Sequence, residues 1–146
     1  MLAAQQALDS IHAKLAAVAV TGGRVFRTRR PIAEASLPAW RLLVDSEAID
    51  QLSVNWPTTQ QHLLDVSAEG LAKDAADIDE TLDSMAEDAL LQLFSSASPL
   101  SPLNAQMSLI GIDRRLISSG EASVGGITLQ LQVKYRTAAN QPGVVI

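Results

Sequence analysis

A chain of 146 residues that is 47% hydrophobic and 18% charged has the composition of a globular domain, large enough to bury a core without help from metal or disulfide. It contains no cysteine, which excludes disulfides, thiolate metal sites and cysteine nucleophiles and fits a reducing compartment. The net charge of −5 argues against a general duplex-DNA binder, because neutralising phosphates takes a surplus of Lys and Arg.

That average conceals a local asymmetry. Nine carboxylates fall between Asp65 and Asp88 against the single Lys73, whereas Arg24, Arg27, Arg29, Arg30 and Arg41 cluster earlier. Two oppositely charged surfaces suit head-to-tail packing of identical subunits. Gln5, Gln6, Asp9, His12 and Lys14 interrupt the N-terminal apolar character, so no secretory leader is expected. No run approaches the ~18–20 apolar residues of a membrane-spanning helix, and a soluble chain with no membrane partner is expected.

In chain order, Ala4, Leu8, Ile11, Leu15 and Val18 recur at spacings of three and four, which predicts a first helix. Thr21-Gly22-Gly23 ends it, since glycine adopts the left-handed conformation common at helix C-termini. Arg24–Arg30 reads as a short strand that stops before Pro31. Ala39–Asp45 has period two and predicts a second strand. Ser46–Thr59 has neither periodicity and, with Asn55-Trp56-Pro57, reads as a long connection. From Thr59 to Leu71, His62, Leu64, Val66 and Ala68 alternate with Gln61, Asp65, Ser67 and Glu69, a third strand paired with the second.

The second helix carries Ala75, Ile78, Leu82, Met85, Ala89 and Leu93 at helical spacing, with Asp74 placed to cap it and an acidic first turn that complements the helix dipole. Ser95–Pro102 breaks it. Gln106–Ile117 is β-compatible with imperfect alternation, explained by a bulge near Gly111. Gly125-Gly126 reads as the close of a hairpin. Over Gly126–Thr137, Ile127, Leu129, Leu131, Val133 and Tyr135 alternate without error with Thr128, Gln130, Gln132, Lys134 and Arg136, an amphipathic strand with one dry face and one wet. Asn140-Gln141-Pro142-Gly143 reads as the end of ordered structure. The expectation is one α+β domain over 1–146: a mainly antiparallel sheet of about four to five strands with two helices packed on one face.

The chemistry-bearing combinations are weak. Glu80, Asp83 and Glu87 form a carboxylate stripe on the second helix, but a di-metal site wants such residues in a core with histidine, so a solvated or subunit-contact face is expected. His12 and His62 are fifty residues apart and form no metal-ligand pattern. There is no Gly-x-Ser-x-Gly elbow. Gly120 and Gly125 have the spacing that opens a phosphate loop, but Gly126-Ile127 stands where lysine and a hydroxyl residue must follow. The Arg24–Arg30 cluster lacks interleaved aromatic residues for single-stranded nucleic acid, which leaves protein contact. Trp56 is either an interface anchor or a loop residue folded over its own core. No metal, no cofactor and no catalytic residue is expected.

The strand Trp40-Arg41-Leu42-Leu43-Val44, the connection Leu52-Ser53-Val54-Asn55-Trp56-Pro57, the returning strand His62–Ala68, the helix opening Ala76-Asp77-Ile78-Asp79-Glu80-Thr81-Leu82-Asp83 and two closing strands ending in Leu131-Gln132-Val133-Lys134-Tyr135 together resemble the tail-terminator (minor tail completion) proteins of long-tailed phages. The resemblance spans nearly the whole chain and implies a structural virion protein in the tail neck, assembled in the host cytoplasm. It implies a ring, generally hexameric, that caps the head-proximal end of the tail tube, stops its growth and docks head-completion or connector proteins, with DNA only passing through the lumen. The subunit contacts expected are Arg24, Arg27, Arg29 and Arg30 against Asp77, Asp79, Glu80 and Asp83, with Trp56 and the wet-face residues Gln130, Gln132 and Lys134 as further contacts. The alternatives are a head-tail connector or other minor tail subunit, and, from another class, a small dimeric ligand-binding regulatory domain. An enzyme stands last.

Overall fold

The computed structural model describes residues 1–74, 77–118 and 123–146. Its elements are helix α1 (Ala3–Ala16), strands β1 (Val25–Phe26), β2 (Ala39–Gln51) and β3 (Thr59–Asp74), helix α2 (Ile78–Leu93), and strands β4 (Gln106–Ser118), β5 (Ser123–Ala138) and β6 (Gln141–Val145). The sheet order is β1-β2-β3-β5-β4, with β6 also pairing β5. All pairings are antiparallel except β1 with β2, which is parallel.

This corrects the expected architecture. The sheet has six strands rather than four or five, is mixed, curls into a half-barrel and carries 45% of the chain, so strands dominate over the two helices. Two strand segments hidden in the sequence account for the difference. β2 continues through Ser46–Gln51, which periodicity alone leaves as connection, because a bulge at Asp45 shifts the register between Val44 and Ser46. The bulge inverts the alternation: Trp40, Leu42 and Val44 share a face with Glu47, Ile49 and Gln51, so no single period covers the strand. β6 forms beyond Asn140, where the turn residues mark an end of order; Gln6 Nε2 of α1 donates to the Gly143 carbonyl oxygen at 2.7 Å and ties it down.

Other local expectations are refined. α1 buries Ala3, Ala7, Leu8, Ile11 and Leu15; after it a short 3-10 turn, Ala19–Thr21, precedes Gly22 and Gly23, whose φ values of 57° and 80° require glycine. The cap of α2 is Asp77 rather than Asp74, its side chain accepting from the Glu80 amide at 3.1 Å, while Asp74 ends β3. Ala75, expected on the helix stripe, and Gly120, weighed as a phosphate-loop glycine, lie outside the described residues. Gly125 and Gly126 are strand residues of β5, opposite Leu116 and Arg115, and do not close a hairpin. A β-carbon at Gly125 would come within 2.9 Å of Ile78 Cγ1 and 3.0 Å of Leu82 Cδ1, so glycine is what lets the start of α2 approach β5. The bulge expected near Gly111 is present, between Leu109 and Gly111.

The amphipathic strand is as read. Ile127, Leu129, Leu131, Val133 and Tyr135 are buried, and with His62, Leu64, Val66 and Ala68 of β3 they form the dry face. Trp40, Leu42, Leu82, Met85, Leu93 and the apolar stripe of α1 complete the core. Burying each large apolar side chain contributes roughly 1.5–3 kcal/mol. Pairing runs straight across the sheet in rows. One row joins Val25, Trp40, Gly70, Ile127 and Arg114; another joins Val44, Val66, Leu131 and Leu109. These rows fix which parts of the two sheet edges stand at the same height.

Candidate subunit-contact surfaces

β4 is an edge strand, and its dry-side residues outrun the cover that α2 provides. Between them lies an open groove of about 620 Å³, lined by Asp83, Ala86, Glu87, Leu90, Leu91, Phe94, Leu109, Ile112 and Arg114. Leu91 is 65% exposed, and Phe94 and Leu109 also reach solvent. Asp83 accepts from Arg114 Nε at 2.9 Å, closing one end of the groove. Asp83, Glu87, Leu90 and Phe94 share one side of α2 because they are spaced by three and four residues. The carboxylate stripe noted in the sequence therefore borders an apolar trough. Among the described residues no group of three or more His, Cys, Asp and Glu side chains could hold a metal ion, and no helix is long and apolar enough to cross a membrane.

The opposite edge carries the arginines, which are not equivalent. Arg24 Nε donates to the Pro38 carbonyl oxygen at 2.9 Å, and Arg27 pairs with Asp9 of α1 at 2.7 Å. Arg29 donates to the Val44 carbonyl oxygen at 2.8 Å, so it lies along the outer side of β2. The Arg30 carbonyl oxygen accepts from Arg41 at 3.2 Å, and the Arg30 side chain is exposed. Arg29 and Arg30 have no carboxylate partner among the described residues. On α2, Asp77 serves as the cap, Asp83 is held by Arg114, and Asp79, Glu80 and Glu87 face outward. The four arginines and the acidic start of α2 are thus not brought together: the arginines follow β1 at one edge of the sheet, α2 packs over β3 and β5, and no ion pair joins them among the described residues.

The wet face is knitted internally. Glu69, only 12% exposed at its side chain, accepts from Arg41 at 2.6 Å and from Arg115 at 2.5 Å, bridging β2, β3 and β4. Gln130 Nε2 donates to Asp113 at 2.5 Å and Gln132 Nε2 to Asp65 at 3.4 Å, so both glutamines have partners within the chain. Lys134 is exposed and lines a small polar hollow with Asn104, Gln106 and Arg136. At the far tip of the β2–β3 hairpin, Trp56 is 75% exposed and Val54 stands beside it in solvent, so Trp56 does not fold over its own core.

Near that end lies a polar cluster in which His62, Tyr135 and Thr137 are buried and Glu47 reaches solvent. His62 Nδ1 is 2.8 Å from Glu47 Oε1, and its Nε2 is 2.8 Å from Thr137 Oγ1; a carboxylate only accepts, so Nδ1 is the donor. The Tyr135 hydroxyl donates to the same Glu47 oxygen. Burial, the Glu47 hydrogen bond and the Glu47 charge, in that order, push the Tyr135 hydroxyl well above the usual phenol range. Sequence reasoning missed Glu47 because the Asp45 bulge hides it. It also missed the groove, although Leu91 and Phe94, apolar residues off the helix stripe, were its visible signal.

No family model matches the chain, and no curated protein does. Among solved structures the chain is similar to one described as the virion of a native gene transfer agent particle, with 14% identity, a TM-score of 0.45, and 90% of this chain and 97% of that chain covered.

Proposed function

We propose that the chain is a structural virion subunit, a tail terminator that forms a ring on the head-proximal end of a phage tail tube, stops its polymerisation and presents a surface to head-completion or connector proteins. The reading rests on the sequence resemblance to that family. The observation that supports it is the pair of unlike sheet edges: β1–β2 with outward arginines, and β4–α2 with an apolar groove and outward carboxylates. A surface that offers two different complementary edges builds heterologous contacts, and such contacts close into rings when the rotation between copies closes. In this reading the chain has no catalytic role, its partners are its own copies, the tube protein and the connector, and DNA only transits the lumen.

Light scattering and negative-stain microscopy of the purified chain, alone and with tail-tube protein, test the proposal. Uniform rings with a central hole that bind tube ends and limit tube length are expected. A chain that leaves tube length unchanged sinks the terminator role, and rings that ignore tube ends favour a connector.

A further inference from the structure

We infer that the groove between α2 and β4 is the acceptor for the β1 edge of a second copy of this chain, the segment Phe26–Arg30, with Arg29 and Arg30 set against the outward carboxylates of α2. The inference rests on the reading of the chain as a ring-forming subunit and names the contact that closes the ring.

The first reason is charge complementarity. Among the described residues, Arg29 and Arg30 are exposed cations without a carboxylate partner, and Glu80 and Glu87 are exposed carboxylates without a cation. Arg29 and Arg30 follow the edge strand β1, whereas α2 packs over the central strands β3 and β5 and borders the other edge strand, β4, and no ion pair joins the two sets within the described residues. Complementary charge at such a contact fixes register and excludes the reversed arrangement, in which like charges would face each other.

Height supplies the second reason. The groove spans the rows that contain Arg114 and Leu109. Those rows cross the sheet to Val25 and Trp40 at one level and to Val44 at the other. Val25–Phe26 pairs with Trp40–Arg41, and Arg29 reaches Val44. Donor edge and acceptor groove therefore occupy the same band of the sheet. A rotation about an axis along the strands then carries one copy onto the next without a shift, which suits a closed ring rather than a climbing helix. The hairpin tip with Trp56 stands well beyond this band, about 20 Å farther along β2 for the residues from Val44 to Gln51, and stays free of the contact.

Charge reversal on each side, with mixing, tests the contact. Arg29→Glu with Arg30→Glu, and separately Glu80→Arg with Glu87→Arg, are each expected to weaken self-association by about tenfold or more while leaving the thermal melt in place, because all four side chains are exposed. Mixing the two variants is expected to restore association, since the reversed edge of one then meets the reversed groove of the other. As an independent measurement, Arg30→Cys and Leu91→Cys proteins, made in a chain with no native cysteine, are expected to cross-link to each other under mild oxidation, and neither to an Ala35→Cys control. Two outcomes overturn this contact and leave the ring reading standing: wild-type rings whose charge-reversed variants assemble unchanged, and wild-type rings in which the Arg30→Cys and Leu91→Cys proteins cross-link to each other no more than to the Ala35→Cys control. A wild-type chain that stays monomeric at every concentration and on tube ends overturns both.

Discussion

His62 and Tyr135 stack face to face across the β3–β5 pair, with ring centroids 4.6 Å apart and planes 9° from parallel. Glu47 receives a hydrogen bond from each of them, so a carboxylate that the Asp45 bulge turns inward holds two rings at once.

The consequence is alkaline lability. A tyrosine in the unfolded chain ionises near pH ~10, whereas Tyr135 in the folded chain resists ionisation to well above that, because of burial first and Glu47 second. A raised folded-state value means that the stabilisation is fully present below the unfolded value and is lost as pH climbs through and beyond it. Denaturant melts are expected to give constant contributions from this group up to about pH 10 and falling stability above it. The chain has one tyrosine, so phenolate absorbance follows this group alone; ionisation at an ordinary pH in the folded protein contradicts the assignment.

Glu69 is expected to be the costly member of the wet-face network. Glu69→Ala leaves the Arg41 guanidinium, 14% exposed, without its carboxylate, and is expected to lose about 1–3 kcal/mol. Arg115→Ala removes a cation that is 58% exposed and is expected to cost under about 1 kcal/mol. Urea melts of the two variants check the order; equal losses would mean that Arg41 is not the dependent partner.

Gly70 is a packing position. A β-carbon there would sit 3.0 Å from Trp40 Cη2 and Cζ3 and 3.2 Å from Met85 Cε, and the ring of Trp40 is fully buried. Gly70→Val is therefore expected to destabilise by about 1–3 kcal/mol through overpacking, with a lowered melting temperature and a changed Trp40 near-ultraviolet signal. An unchanged melt contradicts the tight approach.

The two tryptophans are expected to separate cleanly. Trp56, in solvent at the hairpin tip, is quenched by acrylamide, and the buried Trp40 is not. Trp56→Ala is expected to leave stability within about 0.5 kcal/mol, as for surface positions generally, and to abolish nearly all quenching. Protection of Trp56 on adding tube or connector protein, but not on self-assembly, would place the hairpin tip at a contact between different proteins.

Much of the sheet is readable in the sequence because alternation survives where both neighbours of a strand are fixed. β3 and β5 sit in the middle, each paired along its length, and every inward residue from Leu64 to Ala68 and from Ile127 to Tyr135 follows period two. β2 and β4 defeat that reading at Asp45 and Ile110, where a single extra residue reverses which side chains face the core. β6 is short, and only its contacts with Thr137, Ala138 and the start of α1 reveal it. The surface is legible in part: basic and acidic segments separate along the chain, but not which arginines spend their hydrogen bonds at home. Arg24, Arg27 and Arg29 do, and that depends on Pro38, Asp9 and Val44, residues distant from any charge pattern.

The open edge of β4 also bears on how the folded chain stays dispersed. An unpaired strand edge of 13 residues is a template for indiscriminate strand pairing, and Ile110 and Leu116 on it are exposed. The bulge at Ile110 breaks the run of evenly spaced backbone donors, and Asp113, Arg114 and Arg115 set three consecutive charges beside it. Both devices discourage aggregation at a bare edge. A folded copy in dilute solution can thus leave this edge bare without clumping through it.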